Sequence, residues 1–218
     1  MGSKAAVLWT GGKDCCLALH EAHSLGYFVT ALVTFVPEVN PGFLAHPLPL
    51  MALQAEALDL PHLQIVIGVP YKESYIKAIT DLGSQHGIET LVTGDIDLIN
   101  GAPNWIRECA EGTGVGVLTP LWQLPRGVIL DKMLTSGLDV RMTCVKMPLL
   151  GVEWLGRKLD RAAVDELIEL ERGGVVDACG ENGEFHTMVV DAPLFLKRIV
   201  VEGFSVGRLS MVSIRPAN

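Results

Sequence analysis

The sequence predicts an α/β protein: an N-terminal half built on a parallel sheet, followed by a smaller α+β half. Three observations predict it. Apolar runs of strand length alternate with helix-length segments through the first half. A pair of glycines sits directly after the first apolar run, where a strand would hand over to a helix. After "TPLW" at 119–122 the alternation gives way to short helices and β-rich runs. Strands and helices alternating at that spacing mean parallel strands covered on both faces.

Taken in order, residues 5–10 are a short apolar run and predict a buried strand. Residues 14–26 predict a helix closed by Gly26. Residues 28–36, rich in Val, Thr and Phe, predict a second strand. Four prolines and a glycine across 37–49 predict a loop. Residues 50–60 predict a helix that stops at Pro61. Residues 62–68 predict a strand, and 71–86 a helix ended by Gly87. Residues 90–93 predict a strand with "GDI" at its carboxyl end, and 103–111 a further helix. In the second half, 126–136 and 161–172 predict helices, and 140–146 a strand-like segment. A glycine-rich stretch follows. Two β-rich runs, 195–204 and 208–214, then flank a Ser-Val-Gly turn. The boundary is expected near residue 125, giving domains 1–124 and 125–218.

Composition narrows the function classes. At 49% hydrophobic and 19% charged, the 218 residues can bury a substantial core and do not read as disordered. The net charge of −8, with no cluster of lysines and arginines, argues against a nucleic-acid surface. No apolar stretch reaches the roughly 20 residues of a membrane span. The chain opens straight into a strand-like segment, with no signal peptide expected. Five cysteines, Cys15, Cys16, Cys109, Cys144 and Cys179, form no C-x-x-C and suit free thiols in a reducing cytoplasm.

The strongest chemical signal is "LWTGGKDCC" at 8–16. Gly11 and Gly12 allow backbone N–H groups to approach an anion, and the following helix points its positive end at the loop. Lys13 adds a full positive charge as an exposed loop lysine. Asp14 can hold a metal or cap the helix. A Walker loop, G-x-x-x-x-G-K-[ST], is excluded. With its lysine on Lys13, Val7 falls where the first glycine belongs and Asp14 where the Ser/Thr belongs.

The stretch "WTGGKDCCLAL" resembles the S-G-G-[KH]-D-S loop of the N-type ATP pyrophosphatases, or PP-loop proteins. Those enzymes cleave ATP between the α- and β-phosphates. Thr10 and Cys15 stand where that loop has serines. Three further stretches, "VTGDIDL", "RECAEGTGVGVLTPLW" and "CGENGEFHTMVVDAPLF", together with "LGRKL" at 155–159, resemble the diphthine–ammonia ligase family over nearly the full length. Its signature includes G-D-I, P-L-W and G-E-x-G-E-[YF]-H-T. The residues before Arg107, "APNWI", depart from it, since many relatives carry a glutamine and an extra arginine there.

The resemblance implies an adenine nucleotide alpha hydrolase-like fold and an ATP-dependent amide ligase. Thr10, Gly11, Gly12, Lys13, Asp14, Cys15, His46 and Gly94 would bind the nucleotide. Lys13, Asp95, Glu184 and His186 would be catalytic, and Arg107, Glu108, Glu181 and Thr187 would contact substrate. Asp14 and Asp95 would position Mg²⁺, which prefers one or two carboxylates plus phosphate oxygens. The partners implied are ATP, ammonium and a carboxylate, diphthine on elongation factor two by the family name. There is room for a homo-oligomer. Two rivals stay open at this point. One is another PP-loop enzyme, such as a tRNA thiolase or an amidating enzyme with a different acid. The other is a nucleotide sensor without turnover.

Overall fold

The computed structural model describes residues 2–38, 47–98, 101, 103–206 and 212–216, the last two strands by their backbone alone. In chain order the elements are β1 (Lys4–Leu8), α1 (Lys13–Ser24), β2 (Phe28–Pro37), α2 (Leu48–Leu58), β3 (His62–Ile67), α3 (Tyr71–His86), β4 (Thr90–Val92), α4 (Trp105–Ala110), β5 (Gly116–Leu118), α5 (Arg126–Thr135), β6 (Asp139–Val145), a 3₁₀ turn (Val152–Trp154), α6 (Arg161–Arg172), β7 (Phe185–Asp191), β8 (Val201–Val206) and β9 (Val212–Pro216). By their contacts the residues fall into two compact units.

The first unit is a five-stranded sheet in the order β3-β2-β1-β4-β5, parallel throughout. Val7 of the central strand lies opposite Leu32 on one side and Val92 on the other. Ala5, Ala6 and Val7 are all fully buried, because helices cover a parallel sheet on both faces and every side chain of a central strand is then interior. One face packs Ala6, Val33 and Leu91 against Ile79 and Leu82 of α3 and Cys109 of α4. The chain leaves β1 for β2 and β3 on one side, then returns to β4 and β5 on the other. The carboxyl ends of β1 and β4 therefore flank the topological switch point, where open α/β sheets bind ligands.

The second unit holds the antiparallel pair β6–β7, the antiparallel pair β8–β9, the helices α2, α5 and α6, and the three residues Gly11–Lys13. The Asp160 carboxylate accepts the Ala163 N–H at 3.0 Å and caps α6, a contribution of about 1 kcal/mol. Helix α2 contributes Leu50, Met51, Gln54, Ala55 and Ala57 as buried positions.

Several elements differ from the sequence expectation. Helix α2 starts at Leu48, inside the stretch expected to be loop, because Pro49 fits a first helical turn where no N–H is needed. It stops at Leu58, since Asp59 takes the left-handed conformation at φ 53°. Two strands have no counterpart in the expectation. β5 is three residues among glycines. β7 is buried on both faces, so it shows no alternation, and its ionisable residues hide the strand pattern. Of the expected β-rich run 195–204, only the part from Val201 is strand. Part of the expected run 208–214 lies outside the described residues, and β9 occupies Val212–Pro216.

Candidate functional site

In the second unit the loop residues Gly11–Lys13 lie against the glycine-rich segment and β7. The Gly11 carbonyl accepts from the Val189 N–H at 3.0 Å. The Lys13 N–H donates to Thr187 Oγ1 at 3.1 Å, and the Lys13 ammonium donates to the Cys179 carbonyl. Its Nζ also lies 5.6 Å from the centre of the Phe185 ring, within cation–π range. Lys13 is only 4% exposed, which corrects the expected exposed loop lysine. The reason is visible: the helix begins at Lys13 itself, and the glycine-rich segment folds over its side chain.

That segment is built by carboxylates that accept its own backbone N–H groups. Glu184, 4% exposed, accepts from Asp177 N at 2.8 Å, Asn182 N at 2.9 Å and Asn182 Nδ2 at 3.1 Å. Asp177 accepts from Cys179 N at 2.8 Å and is paired with Arg126 Nε at 2.9 Å. Glu171 accepts from Ala178 N at 3.0 Å. The outcome is a rigid turn whose Cys179 carbonyl is aimed at Lys13. Glu181 is exposed at its rim. Next along the chain, β7 carries His186, half-buried and directly opposite Cys144 of β6. Burial, and then the nearby Lys13 ammonium, hold the His186 imidazole below its ordinary range, so the ring is neutral at pH 7. A neutral ring can accept a proton.

Thr10, Asp14, Cys15, Gly94, Asp95, Arg107 and Glu108 belong to the first unit. Thr10 is exposed, and its hydroxyl donates to the Cys15 thiol at 3.8 Å. Cys15 and Cys16 are both buried, and burial, then Cys15, pushes the Cys16 thiol well up. Gly94 is required by close approach: a Cβ there would lie 2.6 Å from the Asp14 carbonyl carbon and the Cys15 nitrogen. The absent side chain lets the end of β4 touch the first turn of α1. Asp95 follows, its Oδ2 accepting from Thr93 Oγ1 at 2.7 Å and Asn104 Nδ2 at 2.6 Å. Arg107 donates to the Thr119 hydroxyl, whereas Glu108 is paired with Lys72 of α3. His46 lies outside the described residues.

Residues 3–116 match the model of the diphthamide synthase N-terminal domain, and residues 127–210 match that of the diphthamide synthase C-terminal domain. The chain belongs to the diphthamide synthase family. A diphthine–ammonia ligase from Schizosaccharomyces pombe is 30% identical over 91% of this chain, and the human protein of that name is 26% identical over 93% of it. The chain spans 36% of the length of the fission-yeast relative and 84% of the human one. Among solved structures, a predicted subunit of tRNA methyltransferase from Methanocaldococcus jannaschii aligns over 90% of this chain and all of its own, at a TM-score of 0.47 and 18% identity, a likeness too slight to argue from.

In this chain two carboxylates at the ends of neighbouring elements could hold a hard cation. Asp14 and Asp95 stand on elements that Gly94 brings into contact, and Thr93 and Asn104 orient the Asp95 carboxylate. Among the described residues no three metal-ligating side chains cluster, so a cation here would need phosphate oxygens to complete its shell. That suits Mg²⁺, which takes few protein ligands, and does not suit zinc. Sequence reasoning missed Asn104, Asp177 and Gln54. Asn104 was legible as an N-cap, since its side chain accepts from Arg107 N three residues on at 3.0 Å. Asp177 and Gln54 carry no local signal, because what each holds lies far away in sequence or depends on the folded turn. No helix among the described residues is long and apolar enough to cross a membrane.

Proposed function

We propose that this chain is an ATP-dependent carbon–nitrogen ligase that adenylates a carboxylate and transfers ammonia to it, with diphthine on elongation factor two as the acid. The observation that supports this most is the hold of the glycine-rich segment on the loop: Thr187 and Cys179 both accept from Lys13. The similarity to proteins named diphthine–ammonia ligase supports the choice of acid and nucleophile.

In this reading Gly11, Gly12 and Lys13 receive the ATP phosphates. A carboxylate oxygen attacks the α-phosphorus, the bond to the bridging oxygen breaks, and pyrophosphate leaves toward Lys13. Mg²⁺ held by Asp14 and Asp95 would neutralise phosphate charge when bound. Ammonia then attacks the acyl adenylate carbon, and AMP departs. His186, neutral at pH 7, accepts the proton that the attacking nitrogen loses. Thr10, Cys15 and Gly94 would serve the nucleotide, while Arg107 and Glu181 would contact substrate. Glu184 positions the turn and does not take part in proton transfer, since its oxygens already accept three N–H groups of its own segment. Glu108 is an ion-pair residue of the helix surface.

The test is to incubate the protein with ATP, Mg²⁺, ammonium and elongation factor two bearing diphthine, then separate the nucleotides. AMP and pyrophosphate in equal amounts, with amide formation dependent on ammonium, are expected. ADP and phosphate as the main products would refute the adenylation. AMP formed with no need for ammonium would refute the ligation.

A further inference from the structure

Gln54 stands on α2, outside every motif of the sequence, and is fully buried on a helix face otherwise made of Leu50, Met51, Ala55 and Ala57. Burying an amide among apolar side chains is unfavourable unless its groups are bonded. Its Nε2 donates to the Gly11 carbonyl at 2.9 Å and to the Val189 carbonyl at 2.7 Å. The Val189 N–H donates to the same Gly11 carbonyl at 3.0 Å. Two donors from two different elements thus fix one loop carbonyl.

The Gly11–Gly12 peptide is trans and planar, so its C=O and its N–H point in opposite directions. Pinning the Gly11 carbonyl against β7 turns the Gly12 N–H away from β7. The positive φ of Gly11, 78°, belongs to the same arrangement, and a Cβ there would meet Gln54 Oε1 at 2.3 Å and Met188 Cε at 2.6 Å. The Lys13 N–H, one residue further, is already given to Thr187. Gln54 and Val189 thus hold the Gly11–Gly12 peptide from its carbonyl side.

We infer that Gln54 is a positioning residue that sets the T-G-G-K-D loop to receive a phosphate. The inference rests on the nucleotide reading above and adds a residue to it. A glutamine that only glued α2 to β7 would affect stability and leave ligand discrimination alone. A positioning residue acts on the phosphates and spares the nucleoside.

The experiment compares the whole wild-type chain with Gln54→Met, which keeps the volume and removes both donors, and Gln54→Glu, which removes them only while ionised. ATP, inorganic pyrophosphate and adenosine are titrated into each by calorimetry, and hydrogen exchange of the loop amides is followed in the free proteins. For Gln54→Met we expect loop exchange to quicken and affinity for ATP and pyrophosphate to fall about tenfold or more, with adenosine affinity within about twofold of wild type. For Gln54→Glu the loss should shrink as pH is lowered, because a protonated carboxyl regains one donor. Unchanged ATP affinity in Gln54→Met would overturn the inference while leaving the nucleotide reading standing. Equal weakening for ATP and adenosine, with no pH-dependent recovery in Gln54→Glu, would also overturn it. A folded wild-type chain that binds neither ATP nor pyrophosphate would overturn the nucleotide reading itself.

Discussion

Replacing Glu184 by glutamine separates a structural carboxylate from a chemical one. The side chain is 4% exposed and accepts three hydrogen bonds, from two backbone N–H groups and one side-chain amide, all within residues 177–182. Glutamine keeps one acceptor oxygen and places an NH₂ group where the other oxygen was. At least one backbone N–H then faces a donor. Hydrogen bonds to a charged acceptor contribute about 1.5–3 kcal/mol, and a buried donor left unmet costs about 1–3 kcal/mol. The two are partly the same loss, so about 2–4 kcal/mol is expected. For a chain of this size that corresponds to a fall in Tm of roughly 5–15 °C. The assay is thermal and denaturant unfolding beside ATP turnover measured well below the variant's Tm. Turnover should fall as well, because the turn carries the Cys179 carbonyl that holds Lys13. A variant as stable as wild type, yet inactive, would refute the structural assignment and return Glu184 to acid–base chemistry.

Gly11→Ala should lose about 1–2 kcal/mol from its left-handed backbone alone and further stability from the clash with Gln54 and Met188, and calorimetry should show ATP binding weakened with it. His186 has a folded pKa below its unfolded value, since burial and Lys13 disfavour its charged form. The sign follows: above about pH 6.5 neither state is charged at this residue, and below it the unfolded chain takes the proton first. Stability should therefore decline as pH falls from about 6.5 through the lowered folded pKa, and His186→Asn should show a smaller decline in denaturant titrations over the same range. Amide formation should lose its base over that acid range in the wild type and be low at every pH in the variant.

Much of the fold was legible because its signals are local. The alternation of strand and helix through the first half, the glycine ends of helices, and the unbroken apolar run of β1 follow from nearest neighbours, and the parallel α/β architecture follows from them. What stayed hidden is non-local. β7 has no alternation because both its faces are covered, and β5 is defined only by pairing with β4. The site divides the same way. Gly11, Gly12 and Lys13 stand out by composition, and Gly94–Asp95 by position after a strand. The burial of Lys13 depends on Cys179 and Thr187, more than 160 residues away in the chain, and Gln54 reaches Val189 across 135. The run "CGENGEFHT" drew attention by its ionisable groups. Part of that content builds the turn itself, which only the hydrogen bonds of Glu184 and Asp177 make plain.

The central claim is that a carboxylate oxygen attacks the α-phosphorus of ATP bound at the T-G-G-K-D loop. The most direct measurement gives the protein a diphthine-bearing substrate whose carboxylate carries heavy oxygen, with ATP, Mg²⁺ and ammonium, and then weighs the products by mass spectrometry. Attack at the α-phosphorus followed by ammonia puts one heavy oxygen into AMP and none into pyrophosphate. Heavy oxygen appearing in inorganic phosphate, with ADP as the nucleotide product, would mean attack at the γ-phosphorus and would contradict the account.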